Sequence, residues 1–530
     1  PVADLLHAVN DPKYTPYMPA PVAKDVDINK ILYIKEHQID FRGVGVQSVA
    51  VRDYPNGIVA ANIIGYVTEI NDKELATLKS QGYQPGNEIG KTGIEATYES
   101  ALRGQPGVEK IAVDARGRPL SVVSYQPPVA GHDVQLSIDL DIQQKAEQSL
   151  AEGLQAARQS VDQGSSKTFA APGGSVVVED PRDGSVLALA TNPTYNPADF
   201  VGGISLPKYQ QYLHDPLTPL NDRSLQGLYA PGSNFKLVTA TAGLQAGIIS
   251  PDAIFNDTGS YTVGPVTFYG NNKVALGPVN LAQAITRSSD PYFYNVGAQF
   301  WYGRAHFGDD GIQNVARSFG FGKPTGIDLP NESPGKIPDL ASRRAEHAAN
   351  PKAFPEGGWY AGDNTILAIG QGEIVVTPLQ LADAYATFAN GGTLWRPRVA
   401  SRVLSRDGSV VQTFAPVAVG HVALPNRDVM LAGFEGAVAG PSGTAYGAFA
   451  GFPLDQLQVA GKTGTAQVTG KQPTSVFSSF APANAPQYVV TAVLEQSGYG
   501  ATAAAPVVRH VYDLILGHPP GPLSLGSGRD

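Results

Sequence analysis

The sequence predicts an α+β protein of at least two domains, with a mostly β module at the amino-terminal end and a larger domain around one central sheet. Its 530 residues exceed what one hydrophobic core usually organises. Residues 44–122 combine near-alternating apolar positions with turn glycines. In the rest of the chain, strand patterns at both ends enclose a long helical region, which indicates a sheet assembled from remote segments.

The amino-terminal module is predicted over residues 1–135. Its valines at positions 44, 46, 49 and 51 come close to the alternation of a half-buried strand. Asn56-Gly57 is a typical turn dipeptide, and further glycines punctuate the segment as far as Gly107. We therefore expect short strands joined by turns.

The larger domain is predicted over residues 136–516. It opens with a helix at 139–161, where apolar residues recur at helical spacing. Residues 175–191 then have the pattern of a hairpin, with a four-residue turn centred on Asp183-Gly184.

Two late segments, 457–468 and 488–494, complete the strand candidates of this domain. Helical patterns dominate between residues 230 and 515. The tail, 517–530, is rich in Pro, Gly and Ser and has little apolar surface to bury, so we predict that it is disordered.

Composition excludes several classes of function. Lys and Arg number 38 against 47 Asp and Glu, a net charge of −9, and no basic block is long enough to follow a phosphate backbone, so nucleic acid is not an expected partner. The absence of cysteine excludes disulfides, thiolate metal sites and a cysteine nucleophile, and it suits an exported protein. No metal or other cofactor is expected.

Export is also suggested by the way the chain begins. No stretch approaches the roughly 18 to 20 apolar residues that a membrane helix needs, and the best candidate, 237–249, is short. The chain starts at Pro1 without an initiator methionine or an apolar leader. We expect an ectodomain whose targeting or anchoring segment is absent.

Ser-x-x-Lys places a hydroxyl and an amine on one helix face, where the amine can activate the hydroxyl as a nucleophile. The chain contains this pattern three times, at Ser205/Lys208, Ser233/Lys236 and Ser333/Lys336. The third copy encloses Pro-Gly and the first encloses a proline, so both are predicted to be loop or helix-entry residues.

Ser233 stands in a different context from the other two serines. It follows Pro231-Gly232 and opens an apolar run that ends at Gly247, the pattern of a buried helix with a serine in its first turn. The free N–H groups and positive potential of a helix start favour an oxyanion there. Taken alone, the same serine could be a simple helix cap.

A lysine amine accepts a proton near neutral pH only when burial or another cation lowers its pKa, so a second lysine is expected nearby. Lys462 meets this need in a strand pattern, where Thr463 and Thr465 share one face and Gly464 leaves room for a substrate backbone. Their hydroxyls can hold a carboxylate. Lys91-Thr92-Gly93 repeats the tripeptide before a helix start, so we interpret that copy as structural.

Ser288-Ser289-Asp290 supplies a second hydroxyl at a turn between helical segments. Alone it is only a polar turn. Ser-x-x-Lys, Ser-x-Asp and Lys-Thr-Gly in this order form a combination typical of penicillin-binding proteins and class A β-lactamases.

With these motifs in place, the sequence resembles the class B penicillin-binding proteins from about residue 27 to 516, and in particular the elongation-type penicillin-binding protein 2. The segments that carry the resemblance are 52–55, 65–67, 90–95, 229–236, 368–372, 377–381 and 461–467. The resemblance implies an amino-terminal pedestal, or dimerisation-type domain, and a transpeptidase domain of β-lactamase-like fold, a central antiparallel sheet with helices on both sides.

The resemblance also implies catalytic roles. Ser233 would attack the penultimate D-alanine carbonyl of a peptidoglycan stem peptide, and Lys236 would take its proton. Ser288 would relay the proton toward the leaving D-alanine, assisted by Lys462. An amine from a neighbouring stem would then attack the acyl-enzyme, while β-lactams would acylate the same serine.

Substrate binding is implied for the other motif residues. Thr463 and Thr465 would bind the terminal carboxylate beside Gly464, and the N–H groups of Ser233 and Thr465 would form the oxyanion hole. Asp290 departs from the general family pattern, which has Asn there. Because ionised Asp cannot donate a hydrogen bond, we expect it mainly to hold a lysine.

Other functions remain open at this point. A class A β-lactamase shares the three motifs but lacks the amino-terminal module. A D,D-carboxypeptidase would use the same residues with water as acceptor, and a penicillin-sensing or scaffold protein would keep the fold without turnover.

The expected cellular setting follows from the resemblance. The chain would act at the extracytoplasmic face of the bacterial cytoplasmic membrane. Since the amino-terminal module carries no second active site, a membrane glycosyltransferase of the shape, elongation and division type is the expected partner.

Overall fold

The computed structural model describes residues 2–10, 20–23, 26–116, 119–162, 164–518, 521 and 523–526. By internal contacts the chain divides into two compact units. One comprises Pro1–Asp133 and Tyr195–His214, and the other comprises Val134–Thr194 and Asp215–Asp530. Tyr195–His214, which the sequence pattern assigned to the larger domain, therefore groups with the amino-terminal unit.

Aromatic packing explains that grouping. Phe200 is buried and stacks on Tyr66 with a ring separation of 3.7 Å. Tyr195 packs edge-on against both rings, and its hydroxyl donates to the carbonyl oxygen of Ala61 at 2.9 Å. Burying several large rings in one cluster is strongly favourable and outweighs sequence proximity.

Helices and strands are numbered along the chain, with 3₁₀ turns left unlabelled. The helices α1 to α19 are Val2–Val9, Ile28–Glu36, Ala61–Ile64, Asp72–Leu78, Gly93–Thr97, Glu99–Leu102, Leu140–Arg158, Leu206–His214, Arg223–Gln226, Lys236–Gln245, Leu281–Thr286, Asp290–Tyr302, Arg304–Phe307, Gly311–Ser318, Leu340–Ala349, Ala361–Leu367, Pro378–Ala389, Arg427–Ala439 and Ala504–Ile515. The strands β1 to β20 are Val67–Glu69, Glu88–Gly90, Val108–Val113, Pro119–Gln126, Asp133–Leu136, Val161–Asp162, Lys167–Thr168, Gly174–Asp180, Ser185–Asn192, Phe255–Asp257, Ser260–Val263, Val266–Tyr269, Gly277–Val279, Thr393–Trp395, Ala400–Leu404, Val410–Thr413, Ala418–His421, Ala460–Ala466, Thr474–Ala481 and Tyr488–Leu494.

The amino-terminal unit combines two-stranded ribbons with short helices. β1 pairs with β2, and β3 pairs with β4, each antiparallel. The predicted strand through residues 44–51 is wrong, because that segment has no pairing partner among the described residues and Val49 and Val51 are exposed. The helix start predicted after Lys91 is confirmed as α5.

The larger unit contains the predicted sheet of remote strands, ordered β18-β19-β20-β8-β9 with every pairing antiparallel. β8 and β9 form the predicted hairpin, and β20 occupies the predicted range. The sequence missed β19, in which Ser475 to Phe480 pair with both neighbouring strands.

Helices cover both faces of this sheet. α7 and α19 pack on one face, where Leu150, Val490 and Val508 belong to one buried cluster. α17 packs on the other face and is buried along its entire length. The sheet is thus sealed on both sides, which accounts for the nearly complete burial of β8.

The segment with Ser233 enters the buried helix α10 through a 3₁₀ turn at Gly232–Phe235. Ser288 lies between α11 and α12 with a positive φ of 58°, and Ser289 caps α12 by accepting from the N–H of Tyr292 at 3.2 Å. A positive φ is uncommon for a serine and marks the connection between the two helices as a tight turn.

The carboxyl-terminal tail is only partly described. Leu523 and Leu525 pack against the core, and the N–H of Gly526 donates to the carbonyl oxygen of Thr502 at 2.9 Å. These described residues are therefore ordered, because the two leucines supply apolar surface that the tail can bury. Residues 519, 520, 522 and 527–530 lie outside the described residues. In the described parts of the chain, every helix is too short or too polar to cross a bilayer.

Candidate active site

Ser233 lies in the 3₁₀ turn at the start of α10, and it is half-buried between two buried neighbours. Within the described chain its hydroxyl makes no hydrogen bond. The oxygen is therefore accessible and uncommitted, as an attacking group must be.

The Lys236 ammonium is fully buried one helical turn beyond Ser233. Its Nζ donates to Asp290 Oδ1 at 2.6 Å, to Ser288 Oγ at 3.0 Å and to the carbonyl oxygen of Ser288 at 2.8 Å. Three acceptors, one of them a carboxylate oxygen, thus surround the amine. Asp290 thus holds a lysine, as expected for an Asp at this position.

The turn that carries Ser288 is fixed from behind by Asp257, a buried residue that the sequence did not single out. Ser289 Oγ donates to Asp257 Oδ2 at 2.5 Å, and the N–H of Gly259 donates to Oδ1 at 2.8 Å. Because Asp257 is 1% exposed, these bonds anchor the turn to β10.

β18 contributes the Lys-Thr-Gly-Thr segment. Lys462 is fully buried, and its Nζ donates to the carbonyl oxygen of Thr463 at 3.1 Å. Thr463 Oγ1 donates to Thr444 Oγ1 at 2.7 Å, so a residue outside the motif already engages this hydroxyl. Thr465 is the one partly exposed side chain of the strand, and its Oγ1 accepts from the N–H of Gly500 at 3.3 Å.

The Ser233 turn and β18 are in direct backbone contact. Gly232 has a φ of +54°, and a Cβ on it would lie 2.7 Å from the carbonyl oxygen of Thr465. A Cβ on Gly464 would lie 2.9 Å from the carbonyl oxygen of Pro231. Only glycine permits this approach, which brings the backbones of Ser233 and Thr465 together on the two sides of a possible oxyanion site.

Asn234, the second residue of Ser-x-x-Lys, connects the same two segments. Oriented by its hydrogen bonds, its amide nitrogen donates to the carbonyl oxygen of Lys462 at 2.8 Å, and its oxygen accepts from the N–H of Gly464 at 3.3 Å. Gln371 Nε2 donates to the carbonyl oxygen of Thr465 at 2.8 Å. Asn234 stands at an unspecified position of the motif, so the pattern alone gave no reason to select it.

The other two Ser-x-x-Lys copies lie outside this constellation. Ser205 immediately precedes α8, and Lys208 pairs with Asp199 at 3.3 Å. Lys336 pairs with the carboxylates of Glu346 and Glu373, at 2.6 and 3.1 Å. The prediction that both are loop or helix-entry sites is confirmed.

The second Lys-Thr-Gly tripeptide is also structural. Lys91 follows β2 and forms an ion pair with Glu74, the residue that closes the capping box of α4. Its amine therefore fastens two local elements of the amino-terminal unit.

Comparison with known proteins identifies the constellation. Residues 174–513 match the family model of the penicillin-binding protein transpeptidase domain, and residues 2–136 match that of the penicillin-binding protein dimerisation domain. The chain belongs to the penicillin-binding proteins. The transpeptidase match alone covers well over half of the chain, and it includes all eight residues that the sequence singled out for catalysis and substrate binding.

Curated penicillin-binding relatives extend over nearly all of the chain. The peptidoglycan D,D-transpeptidase MrdA of Salmonella typhimurium is 32% identical over 529 residues, which cover 95% of this chain and 78% of that protein. MrdA of Escherichia coli K12 is 34% identical over 519 residues, with 94% and 76% covered.

Solved structures give the same result. Penicillin-binding protein 2 of Pseudomonas aeruginosa, in complex with WCK 5153, superposes with a TM-score of 0.70 at 32% identity, covering 91% of this chain and 95% of that one. The Helicobacter pylori protein, in complex with MreC, gives a TM-score of 0.77 at 26% identity, covering 94% and 84%. The elongation-type resemblance seen in the sequence is thus confirmed.

Proposed function

We propose that this chain is a serine-type peptidoglycan D,D-transpeptidase that cross-links stem peptides through an acyl-enzyme and is covalently inhibited by β-lactams. One observation carries the proposal. Ser233 has a hydroxyl without a hydrogen bond in the described chain, and it lies in a turn at a helix start. The backbone of that turn contacts a strand that carries a second buried lysine and a partly exposed threonine. Homologous proteins that align over nearly the whole chain are named peptidoglycan D,D-transpeptidases.

Acylation begins when the Lys236 ammonium releases a proton to solvent, because only the neutral amine can accept the Ser233 proton. Ser233 Oγ then bonds to the penultimate D-alanine carbonyl carbon, and the carbonyl oxygen becomes an oxyanion. The backbone N–H groups of Ser233 and Thr465 are the donors proposed to stabilise it. Their contact through Gly232 supports that role.

Collapse of the intermediate breaks the peptide bond and transfers a proton to the departing D-alanine nitrogen. Ser288 is suited to deliver it, because its Oγ lies 3.0 Å from Lys236 Nζ and links the base to the leaving group. Lys462 adds positive potential. In the last step an acceptor amine bonds to the ester carbon, and Ser233 departs with the proton that the amine releases.

The terminal carboxylate of the donor is proposed to bind at β18, beside Lys462 and the surface of Gly464. Thr465 is better placed than Thr463 for direct contact, because the Thr463 hydroxyl is buried and donates to Thr444. We therefore assign Thr465 the first contact and Thr463 a supporting role through Thr444. This refines the equal roles that the motif suggested.

Location and partners follow from the substrate. Peptidoglycan lies outside the cytoplasmic membrane, so the proposed site of action is its extracytoplasmic face, in wall elongation. Related structures are titled as a complex with MreC and as a peptidoglycan synthase complex that coordinates polymerisation and cross-linking. By analogy we propose a membrane glycosyltransferase of the shape, elongation and division type as the partner of this chain.

A donor peptide ending in D-alanyl-D-alanine, supplied with a peptide amine acceptor, tests the proposal. The expected result is an amide product and released D-alanine, both abolished in Ser233→Ala. Hydrolysed donor without amide at any acceptor concentration would indicate a D,D-carboxypeptidase. The absence of both products, with the protein folded, would indicate a sensing or scaffold protein.

A further inference from the structure

A cavity of about 450 Å³ adjoins the proposed active site. Asp257 and three segments form its walls: residues 270–276, the stretch from Arg287 to Pro291, and the loop from Pro441 to Gly447. This volume lies in the usual range for sites that hold a small peptide or similar ligand. None of the roles assigned above uses it.

Three residues of the cavity wall are hydrogen-bonded to the catalytic constellation. Ser288 and Asp290 both accept from the Lys236 amine. Thr444, in the Pro441–Gly447 loop, accepts the hydrogen bond of Thr463. The cavity therefore begins where the leaving D-alanine would be held.

Reaction chemistry determines what must occupy that space. The acceptor amine attacks along the path by which the leaving nitrogen departed, because acylation and deacylation pass through equivalent tetrahedral species in opposite directions. The acceptor nitrogen must then lie beside Ser288. The remainder of the acceptor must occupy space that is continuous with Ser288, and the cavity is such a space.

Charge gives the chemical class of the acceptor arm. Among the described residues that line the cavity, Arg287 is the only cation. One of its five N–H donors reaches the carbonyl oxygen of Leu276 at 2.9 Å, and no carboxylate in the described chain pairs with it. The two acids in the wall are already engaged, Asp257 by Ser289 and Asp290 by Lys236. A planar guanidinium with spare donors is suited to a carboxylate.

We propose that this cavity is the acceptor subsite and that Arg287 binds a carboxylate of the acceptor stem peptide. The inference rests on the proposed transpeptidase function and adds the acceptor's binding site and chemistry to it. The amine nitrogen bonds to the acyl carbon, the ester bond to Ser233 breaks, and the amine proton returns to the serine. Arg287 takes no part in that exchange and determines which amine is held there.

The test compares Arg287→Gln with the wild-type chain, using one acceptor peptide with a free carboxylate and the same peptide with that group amidated. In the variant, penicillin acylation stays within about twofold, and KM for the carboxylate acceptor rises about tenfold. KM for the amidated acceptor does not change, and Arg287→Lys recovers part of the loss because it keeps the charge.

Arg304→Gln is the matched control. Arg304 also makes one side-chain bond to a backbone carbonyl, that of Trp301 at 3.0 Å, but it is exposed and outside the cavity. All its kinetic constants should match the wild type. An unchanged KM for the carboxylate acceptor in Arg287→Gln, or slower acylation by donor there, would overturn the assignment of the cavity to the acceptor.

A second variant tests the cavity without relying on Arg287. Gly447 lies in the cavity wall, and a Cβ on it would meet no atom within 4 Å, so Gly447→Leu can project into the space without a backbone clash. Acylation should persist while transfer to both acceptors falls at least tenfold. Gly45→Leu, also unobstructed but in the amino-terminal unit, is the control.

These outcomes separate the two proposals. If wild-type protein forms no amide with any acceptor, the proposed transpeptidase function fails. If the wild type forms amide and Gly447→Leu forms it equally fast, only the acceptor subsite fails.

Discussion

The pairing of Lys236 with Asp290 holds the proposed base in place. The Lys236 amine is fully buried, and its Nζ lies 2.6 Å from Asp290 Oδ1. The charge and the shape of Asp290 can each contribute to this anchoring, and two substitutions separate them.

Asp290→Asn removes the charge but keeps one acceptor, whereas Asp290→Ala removes both. Acylation by Asp290→Ala should be slower than by Asp290→Asn, because Lys236 loses its anchor. Stopped-flow rates from pH 5 to 9 would measure both, and an Asn variant slower than Ala at every pH would contradict this account.

Lys236, in the Ser-x-x-Lys motif, and Lys91, in the structural Lys-Thr-Gly copy, should give opposite results when each is changed to alanine. Lys236→Ala should lower the acylation rate by at least 10³-fold, since it removes the proposed base. Lys91→Ala should acylate at the wild-type rate and lose at most about 1 kcal/mol of stability, because its ion pair with Glu74 is partly exposed. Fluorescent penicillin labelling would compare them, and similar losses in both would disprove the distinction.

At the scale of single residues, the motifs selected the residues proposed to carry the chemistry but not those that hold them in place. Asn234, Thr444 and Asp257 act through hydrogen bonds to the motif residues or to the turns that carry them. Any polar residue type can fill such roles. Their selection depends on which segments fold together, and no local pattern records that.

The junction between the Ser233 turn and β18 depends on Gly232 in two ways. Gly232→Ala places a side chain in the left-handed region and drives a Cβ to 2.7 Å from the carbonyl oxygen of Thr465. We expect a loss of about 1 to 2 kcal/mol from the backbone conformation, together with at least a hundredfold loss of acylation rate from displacement of the strand.

Gly247→Ala, just beyond the other end of α10, measures the stability lost through the left-handed backbone conformation alone. Gly247 has a φ of +69°, and a Cβ there would meet nothing within 4 Å. Its stability loss should resemble that of Gly232→Ala, while its acylation rate stays normal. Loss of acylation in both variants, measured beside urea unfolding, would show that strand displacement is not the cause.

A buried pair of carboxyl groups joins β8 to α17. Glu179 and Asp383 are 1% and 4% exposed and lie in hydrogen-bond contact. Burial raises the pKa of Glu179 to about 8, and burial together with the Glu179 charge raises the pKa of Asp383 well above its usual range. Asp180 and Asp183 near Glu179, and Glu332 near Asp383, act in the same direction.

The sign of the pH effect follows from these raised values. The folded chain binds protons that the unfolded chain has released, so the contribution of the pair is fully present below about pH 4.5 and is lost as pH rises toward 8. We compare the free energy of unfolding of the double variant Glu179→Gln, Asp383→Asn with that of the wild type. The difference, variant minus wild type, should increase by on the order of a few kcal/mol from pH 5 to pH 8. Urea titrations at fixed pH would measure the difference, and a constant difference across this range would contradict the raised pKa values of the pair.

Elements with a regular pattern were predicted, and elements defined by their partners were not. β19 contains four buried hydroxyl residues and so has no apolar alternation to detect. Distant atoms satisfy them, as when Ser479 Oγ donates to the carbonyl oxygen of Val490. The valines at 44–51 show the converse, because alternation without a neighbouring strand produced no strand.

At the scale of the whole molecule, the division into two units separates the proposed active site from the proposed docking region. The amino-terminal unit contains none of the proposed catalytic residues, so surface changes there should affect partners and not acylation. Charge reversal at Lys73 and Lys79, exposed lysines of α4 and the turn after it, should leave β-lactam acylation within twofold. The same changes should impair growth and cell shape where the cell depends on this chain.

Lys352→Glu, an exposed charge reversal in the larger unit, is the control for that experiment and should be neutral in cells. Normal growth and cell shape with both Lys73 and Lys79 reversed would contradict docking of a partner through this part of the amino-terminal unit. A purified chain that polymerised lipid-linked precursor by itself would remove the need for a glycosyltransferase partner.

The sequence also predicted the molecular plan, two units with a sheet of remote strands, because length and the order of strand and helix patterns constrain architecture. It did not predict that Tyr195–His214 returns to the amino-terminal unit. That grouping arises from ring contacts between Tyr66 and Phe200, which lie far apart in the chain.

The central claim is that Ser233 is the nucleophile of a penicillin-reactive acyltransferase. Intact mass after incubation with benzylpenicillin, followed by peptide mapping, tests it most directly. The account predicts one penicilloyl group per chain, located on Ser233, released slowly and absent from Ser233→Ala. An adduct on Ser205 or Ser333, or an undiminished adduct in Ser233→Ala, would contradict it.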